Sequence, residues 1–175
     1  MNGRQFTFPF VETQVRKKTF GVLTTLNKDG TPHTTGILYG VSLPSSKFAL
    51  FSITSKKYKK VRNIKGNPNV SFLIPFPHYY IRFAPSATVI FQGKADFMTL
   101  DNQEIQNIFS KKRILRLILR QAQQEEPEIM TFLRIKPQQR VLCHSLGFNV
   151  LKLRKDHKKG GYSVTIPQHR LFNDS

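Results

Sequence analysis

Six of the ten residues from Lys56 to Lys65 are basic, and two hydroxyl side chains, Thr54 and Ser55, stand just before them. The stretch reads as a short helix: Thr54 and Ser55 are good N-cap residues, and Gly66 suits its end. Tyr58, Val61 and Ile64 recur three residues apart, which marks the face that docks on a sheet. Lys56 and Lys60 then share one flank, and Lys59 and Arg62 share the other. Free amides at a helix start, two hydroxyls and convergent ammonium groups together suit a phosphate. Taken alone, a basic run more often reads as a solvated helix face.

Other chemistry is sparse. The five histidines, His33, His78, His144, His157 and His169, do not pair at metal-ligand spacing. There is no Ser-His-Asp or Cys-His set, so no catalytic side chain and no metal site is assigned. Cys143 is the single cysteine; it reads as a small strand residue, excludes an intrachain disulfide and fits a reducing, cytoplasmic setting.

Composition bounds the classes. Of 175 residues 39% are hydrophobic, with 15 Phe and no Trp, which is enough for one globular domain. No apolar run approaches the roughly 20 residues of a membrane span, and the first residues show no secretory core. Net charge is +18, from 28 Lys and Arg against 10 Asp and Glu. Such a chain attracts polyanions, anionic lipid or phosphorylated small molecules. The charge falls in three clusters (Lys56 to Lys65, Lys111 to Arg120, Lys152 to Lys159), and no nucleic-acid reading module is visible, so that class stays open without being favoured.

The elements that must position these residues are mostly strands. A short helix over Pro9–Lys18 precedes a strand over Thr19–Asn27, rich in β-branched and aromatic residues. Lys28-Asp29-Gly30-Thr31 is a hairpin turn, and Pro32–Leu43 is the partner strand. Phe48–Ser55 is a buried strand leading into the basic helix, and Val70–Pro75 follows Asn67-Pro68. Ala87–Phe97 is a further strand, with Gly93 marking a bulge or a close backbone approach. Asp101–Arg120 reads as one helix, capped by Asp101 with Glu104 completing a capping box. Gln121–Glu128 reads as a loop, and Ile129–Ile135 and Arg140–Leu153 as two strands joined by a turn at Pro137-Gln138-Gln139. The order is not an α/β alternation but that of an antiparallel barrel with inserted helices. Residues 1–155 form the expected domain, and residues 156–175, with Gly160-Gly161, a basic C-terminal arm or short edge strand.

Five segments in this order carry a resemblance: Leu26-Asn27-Lys28-Asp29-Gly30-Thr31-Pro32-His33, Phe51-Ser52-Ile53-Thr54-Ser55, Lys60-Val61-Arg62-Asn63-Ile64, Asn67-Pro68-Asn69-Val70-Ser71-Phe72 and Gln92-Gly93-Lys94-Ala95. Together they resemble the pyridoxamine 5′-phosphate oxidase-like flavoproteins, over Thr19 to Phe97 and more loosely over Phe132 to Val141. The resemblance implies a mainly β fold, a six-stranded antiparallel split β-barrel of FMN-binding type. It also implies a homodimer with flavin mononucleotide between the subunits. By position, Thr54, Ser55, Lys59 and Lys60 would hold the phosphate, with Ile53 beside them. Thr34, Thr35, Gly36, Ile37 and Leu38 would run along the ribityl chain and isoalloxazine edge. His78, Tyr79, Tyr80 and Arg82 would form either a wall of a small-molecule pocket or dimer packing.

The chain has Thr35 where the oxidase has an arginine, and Tyr58-Lys59-Lys60 where it has Ser-Arg-Lys. Cofactor binding is therefore implied more strongly than oxidation of pyridoxamine phosphate. Some members of this superfamily use a deazaflavin coenzyme in place of the flavin, and others bind haem. A flavin-dependent oxidoreductase, a non-catalytic flavin or haem binder and a nucleic-acid module are the functions to separate.

Overall fold

The computed structural model describes residues 6–77, 86–125, 127–148 and 160–173. His78, Tyr79, Tyr80 and Arg82 lie outside the described residues, as do His157 and the Lys152–Lys159 cluster. The chain begins with α1 (Phe8–Lys17), which buries Phe8, Val11 and Val15. The hairpin β1 (Phe20–Leu26) and β2 (Pro32–Leu38) follows, paired from Phe20↔Leu38 to Leu26↔Pro32. Its turn forms where Asp-Gly predicts it: Gly30 has φ +79°, which a side-chain-bearing residue adopts only with strain. Asp29 Oδ1 accepts from the Thr31 amide (3.0 Å) and hydroxyl (2.6 Å).

After Tyr39 the chain continues as the short β3 (Gly40–Val41), then β4 (Leu50–Ser55) and α2 (Lys59–Gly66). β5 (Asn69–Phe76) and β6 (Ala87–Met98) form a second hairpin-like pair. α3 (Gln103–Ser110) and α4 (Arg113–Glu125) come next, then β7 (Met130–His144), β8 (Gly161–Thr165) and a 3-10 turn at Gln168–Arg170. One antiparallel sheet runs β2-β1-β5-β6-β7-β4-β3, with β8 also on β7. Because β3 continues β2, the path returns to its own start, and the sheet is a barrel. The described sheet has eight strands rather than the six expected; the class is the expected one.

Three local expectations are corrected. The turn at Pro137-Gln138-Gln139 is absent, and β7 passes through it as one strand. A bulge absorbs the proline: the register with β6 shifts between Phe91 and Gly93, and Gly93 faces Pro137. A Cβ on Gly93 would sit 2.1 Å from the Lys136 carbonyl oxygen, so only glycine fits. This is also where the edge of β7 changes partner, from β4 (Met130–Ile135) to β8 (Arg140–His144).

The single helix Asp101–Arg120 is two helices, and the second extends through Gln121 to Glu125. The break lets the Lys112 ammonium reach the carbonyl oxygens of Arg16 and, at 2.9 Å, Lys18, closing the end of α1. Arg116 Nε donates to the Ser110 carbonyl oxygen at 3.0 Å, satisfying a group the break exposes. The cap of α3 is Asn102, whose Oδ1 accepts from the Ile105 amide at 3.1 Å. Glu104 instead accepts from Ser46 Oγ.

Two apolar clusters result. The larger fills the barrel, with Leu23, Tyr39, Phe48, Phe72 and Phe91 fully buried. The smaller lies between the outer face of β4 and α3–α4, around Phe51, Phe109, Leu115 and Phe132. Residues 160–173 pack on the same body: Val164 and Ile166 join the larger cluster. No helix among the described residues is long and apolar enough to cross a membrane.

Candidate functional site

Strand alternation sorts the sequence-predicted residues onto two faces. In β4, Leu50 belongs to the barrel core, while Phe51 and Ile53 pack on the outer cluster. Thr54 therefore points into the barrel, and Ser55 stands with Ile53 on the outside. In β2, Ile37 lies in the barrel core, so Thr35 points inward with it, while Thr34, Gly36 and Leu38 face outward. Leu38 and Ile53 both pack against the outer cluster, which brings the two strands to a common rim.

The barrel opens between these strands. β3 pairs with β4 only through Gly40↔Phe51 and Val41↔Leu50. Beyond that bridge, neither Pro32–Leu38 nor Ile53–Ser55 has a described strand partner on the facing edge. These two lips leave backbone N–H and C=O groups in need of partners, a requirement any buried chain must meet. Two inward hydroxyls share the condition: Thr35 Oγ1 and Thr54 Oγ1 are buried and make no hydrogen bond.

The helix start is built differently from the expectation. Thr54 and Ser55 belong to β4, and the N-cap of α2 is Tyr58, which gives no side-chain cap. Ser55 accepts instead from the Lys57 amide at 3.3 Å, within the turn that precedes the helix. Tyr58 is 56% exposed and does not dock; Val61 and Ile64 alone carry the buried face. Lys56 leaves the predicted cluster, because its ammonium donates to the Glu128 carbonyl oxygen at 2.7 Å. In the first turn of α2 the Val61 and Arg62 amides donate to the Tyr58 carbonyl oxygen (3.0 and 3.4 Å), which leaves the amides of Lys59 and Lys60 without a backbone partner among the described residues.

Lys60 is half-buried, its ammonium 5.1 Å from the centre of the Tyr58 ring, and it has no acidic partner among the described residues. Burial pulls its pKa below the usual lysine value. Desolvation of this kind is relieved by an anion. Lys59 is exposed and contributes to holding the Asp29 carboxyl below its usual range, an effect due mainly to the Thr31 hydroxyl. α2 is fixed over the β1–β2 hairpin by Asn63, whose Nδ2 reaches Thr25 Oγ1 (3.1 Å) and Asn27 Oδ1 (3.0 Å).

Sequence reasoning did not single out Phe20. Its ring, 49% exposed, lies across Gly36, where an added Cβ would sit 2.8 Å from Phe20 Cε2. Gly36 is small because this chain's own aromatic covers it, so a flat ligand there meets Phe20 first. Nothing in the strand pattern distinguishes an aromatic lying on a neighbour's glycine from one in the core. His33 sits within β2, half-buried, on the inward side opposite Thr25. Among the described residues no group of three His, Cys, Asp or Glu could hold a metal ion. Two concavities, about 650 Å³ beside Met98, Leu100 and Met130 and about 580 Å³ beside Lys136, Gln168 and Phe172, are lined by none of the residues the resemblance assigns to the cofactor.

The profile of one known family, pyridoxamine 5′-phosphate oxidase, matches residues 8–143. Among solved structures, the chain is similar to HutZ, the heme storage protein from Vibrio cholerae (TM-score 0.60, 18% identity, 77% of this chain and 92% of that one). It is also similar to a heme binding protein from Mycobacterium smegmatis (TM-score 0.59, 20% identity, 85% of this chain and 53% of that one). A third likeness is to a putative pyridoxamine 5′-phosphate oxidase from Listeria innocua (TM-score 0.53, 22% identity, 75% and 92%). These identities speak to the fold. No curated protein matches the sequence.

Proposed function

The chain belongs to the pyridoxamine 5′-phosphate oxidase family, and from that premise we propose that it is an FMN-binding oxidoreductase acting on a small molecule. Two copies would hold the flavin at the split between β2 and β4. The observation that carries this reading is Lys60: a half-buried cation with no counter-charge among the described residues, beyond the end of the strand that carries the buried, unbonded Thr54 hydroxyl. A phosphate would supply what both lack.

The residues fit such a group in outline. The side chains of Lys59, Lys60 and Ser55 and the amides of Lys59 and Lys60 would take the phosphate, and Thr54 a nearby oxygen. The unpaired lip Thr34–Leu38 would offer N–H and C=O groups to the pyrimidine edge, while Thr35 would turn its hydroxyl to the ribityl chain. Phe20 would stack on the ring and keep water from it, and Ile53 and Leu38 would form an apolar floor. When bound, the isoalloxazine supplies the redox chemistry; the protein binds, orients and shields it.

A haem reading has its own support. Two proteins of similar fold are named for heme, and His33 on the β2 lip offers an imidazole. The deazaflavin alternative rests on the basic surface alone.

The test is the visible spectrum of protein purified under native conditions, followed by identification of the released chromophore. FMN absorbance, lost with Lys60→Ala in a folded protein, is the expected result. A Soret band assigns haem. Colourless protein that takes up no flavin on titration defeats the reading.

A further inference from the structure

α4 is buried on one side only. Leu115 and Leu119 enter the outer cluster, and Ala122 is buried on the same side. On the opposite side Leu117 is 62% exposed and Ile114 44% exposed, among the most exposed large apolar side chains of the protein. Arg113 and Arg120 stand four residues before and three after Leu117, so they flank it on the helix surface. Both are exposed and neither has an ion pair among the described residues. Lys111 extends the charge, and no acidic residue occurs from Ile105 through Gln124.

We propose that this face of α4 docks the protein on an anionic lipid surface. Branched aliphatic side chains set among arginines are what an interfacial helix needs. The apolar tips enter the boundary between headgroups and acyl chains, while the guanidinium groups meet lipid phosphates. The long arginine stems cover apolar surface as their heads stay wet. Charge decides against a second copy of the chain. A symmetric contact centred on Leu117 would set Arg113 and Arg120 of one copy close to those of the other. A nucleic acid is disfavoured because α4 offers no aromatic ring for stacking, and Leu117 gives a phosphate backbone nothing. The proposal stands apart from the cofactor site.

The test is flotation of the full chain with vesicles of phosphatidylcholine alone and of phosphatidylcholine mixed with phosphatidylserine. Binding to the mixed vesicles is expected to be at least about tenfold tighter and to weaken with salt. Arg113→Gln with Arg120→Gln should weaken it roughly twenty-fivefold, at about fivefold per charge. Leu117→Gln, at a site exposed enough to leave the fold intact, should weaken it about fivefold. Lys28→Gln with Lys65→Gln removes the same charge from exposed positions on other elements and should cost less than about twofold. An equal loss in that control, or parental binding by Leu117→Gln, overturns the proposal. So does an oligomer that Leu117→Gln converts to monomer, or binding confined to duplex DNA.

Discussion

The Arg170 guanidinium lies 3.1 Å from the carboxylate of Glu12, joining the end of the described chain to its first helix. Both residues are 8% exposed, and Arg170 also donates to the carbonyl oxygens of Ser46 and Leu43. Arg16 binds the same carboxylate from a more exposed position, its side chain 27% exposed against 10% for the side chain of Arg170. Removing Arg170 takes away the buried partner of Glu12 and leaves the Ser46 and Leu43 carbonyl oxygens without their donor, whereas removing Arg16 leaves Glu12 paired with Arg170. Arg170→Ala should therefore lower the unfolding free energy by about 3 kcal/mol, and Arg16→Ala by about 1 kcal/mol. Urea unfolding of the two variants checks this; equal losses would contradict it.

Acid should find a second ion pair. Burial alone would raise the Asp96 carboxyl, but hydrogen bonds from Arg134 (2.6 and 2.8 Å) and Lys136 outweigh it and hold the group below its usual range. The folded protein then keeps this carboxylate ionised to lower pH than the unfolded chain does. Stability from it is complete above about pH 5 and drains away as the pH falls through the lowered value. Asp96→Asn should start less stable at neutral pH and lose less on acidification. The urea midpoint measured against pH reads this directly.

Sequence showed most of this fold, because its strongest signals are local. Asp29-Gly30 fixes the first hairpin by backbone conformation, and Gly93 announces a bulge that Pro137 then explains. The same Pro137 reads as a turn because a sequence cannot say that a partner strand carries a glycine opposite it. Tyr58 continues a three-residue spacing yet stays in solvent, since only the docked geometry of α2 decides where its apolar face ends. At the candidate site the lips, the lysines and the hydroxyls were legible as a set. Their division into inward and outward faces was not, and neither was the Phe20 ring over Gly36, which is a contact across the hairpin.

Cys143 should be inert. It is 5% exposed, and burial pushes its thiol up to about 11 in spite of a bond with the Tyr162 hydroxyl. Thiolate is the reactive form, so at mildly alkaline pH labelling by a disulfide reagent should be at least about a hundredfold slower in the native protein than in urea. The residual rate should follow global unfolding. Fast labelling without unfolding would place the thiol at the surface and contradict its packing in the barrel.

Thr54 separates stability from binding. Its buried hydroxyl makes no hydrogen bond, a loss to the ligand-free fold that the nearly isosteric valine removes. Thr54→Val should therefore raise the unfolding free energy of ligand-free protein by about 1 kcal/mol. If the hydroxyl is held in reserve for a cofactor oxygen, the same change should weaken FMN binding by roughly tenfold, the cost of one lost bond of about 1.4 kcal/mol. Thermal melts with and without FMN measure both at once, and the cofactor-dependent rise in melting temperature should shrink as the baseline climbs. A higher baseline with an undiminished rise would mean that Thr54 is an isolated packing flaw and that the anion is held by the side chains and amides of Lys59 and Lys60 without it. Lys60→Ala is the complement: it should leave the baseline melt nearly unchanged and abolish the rise.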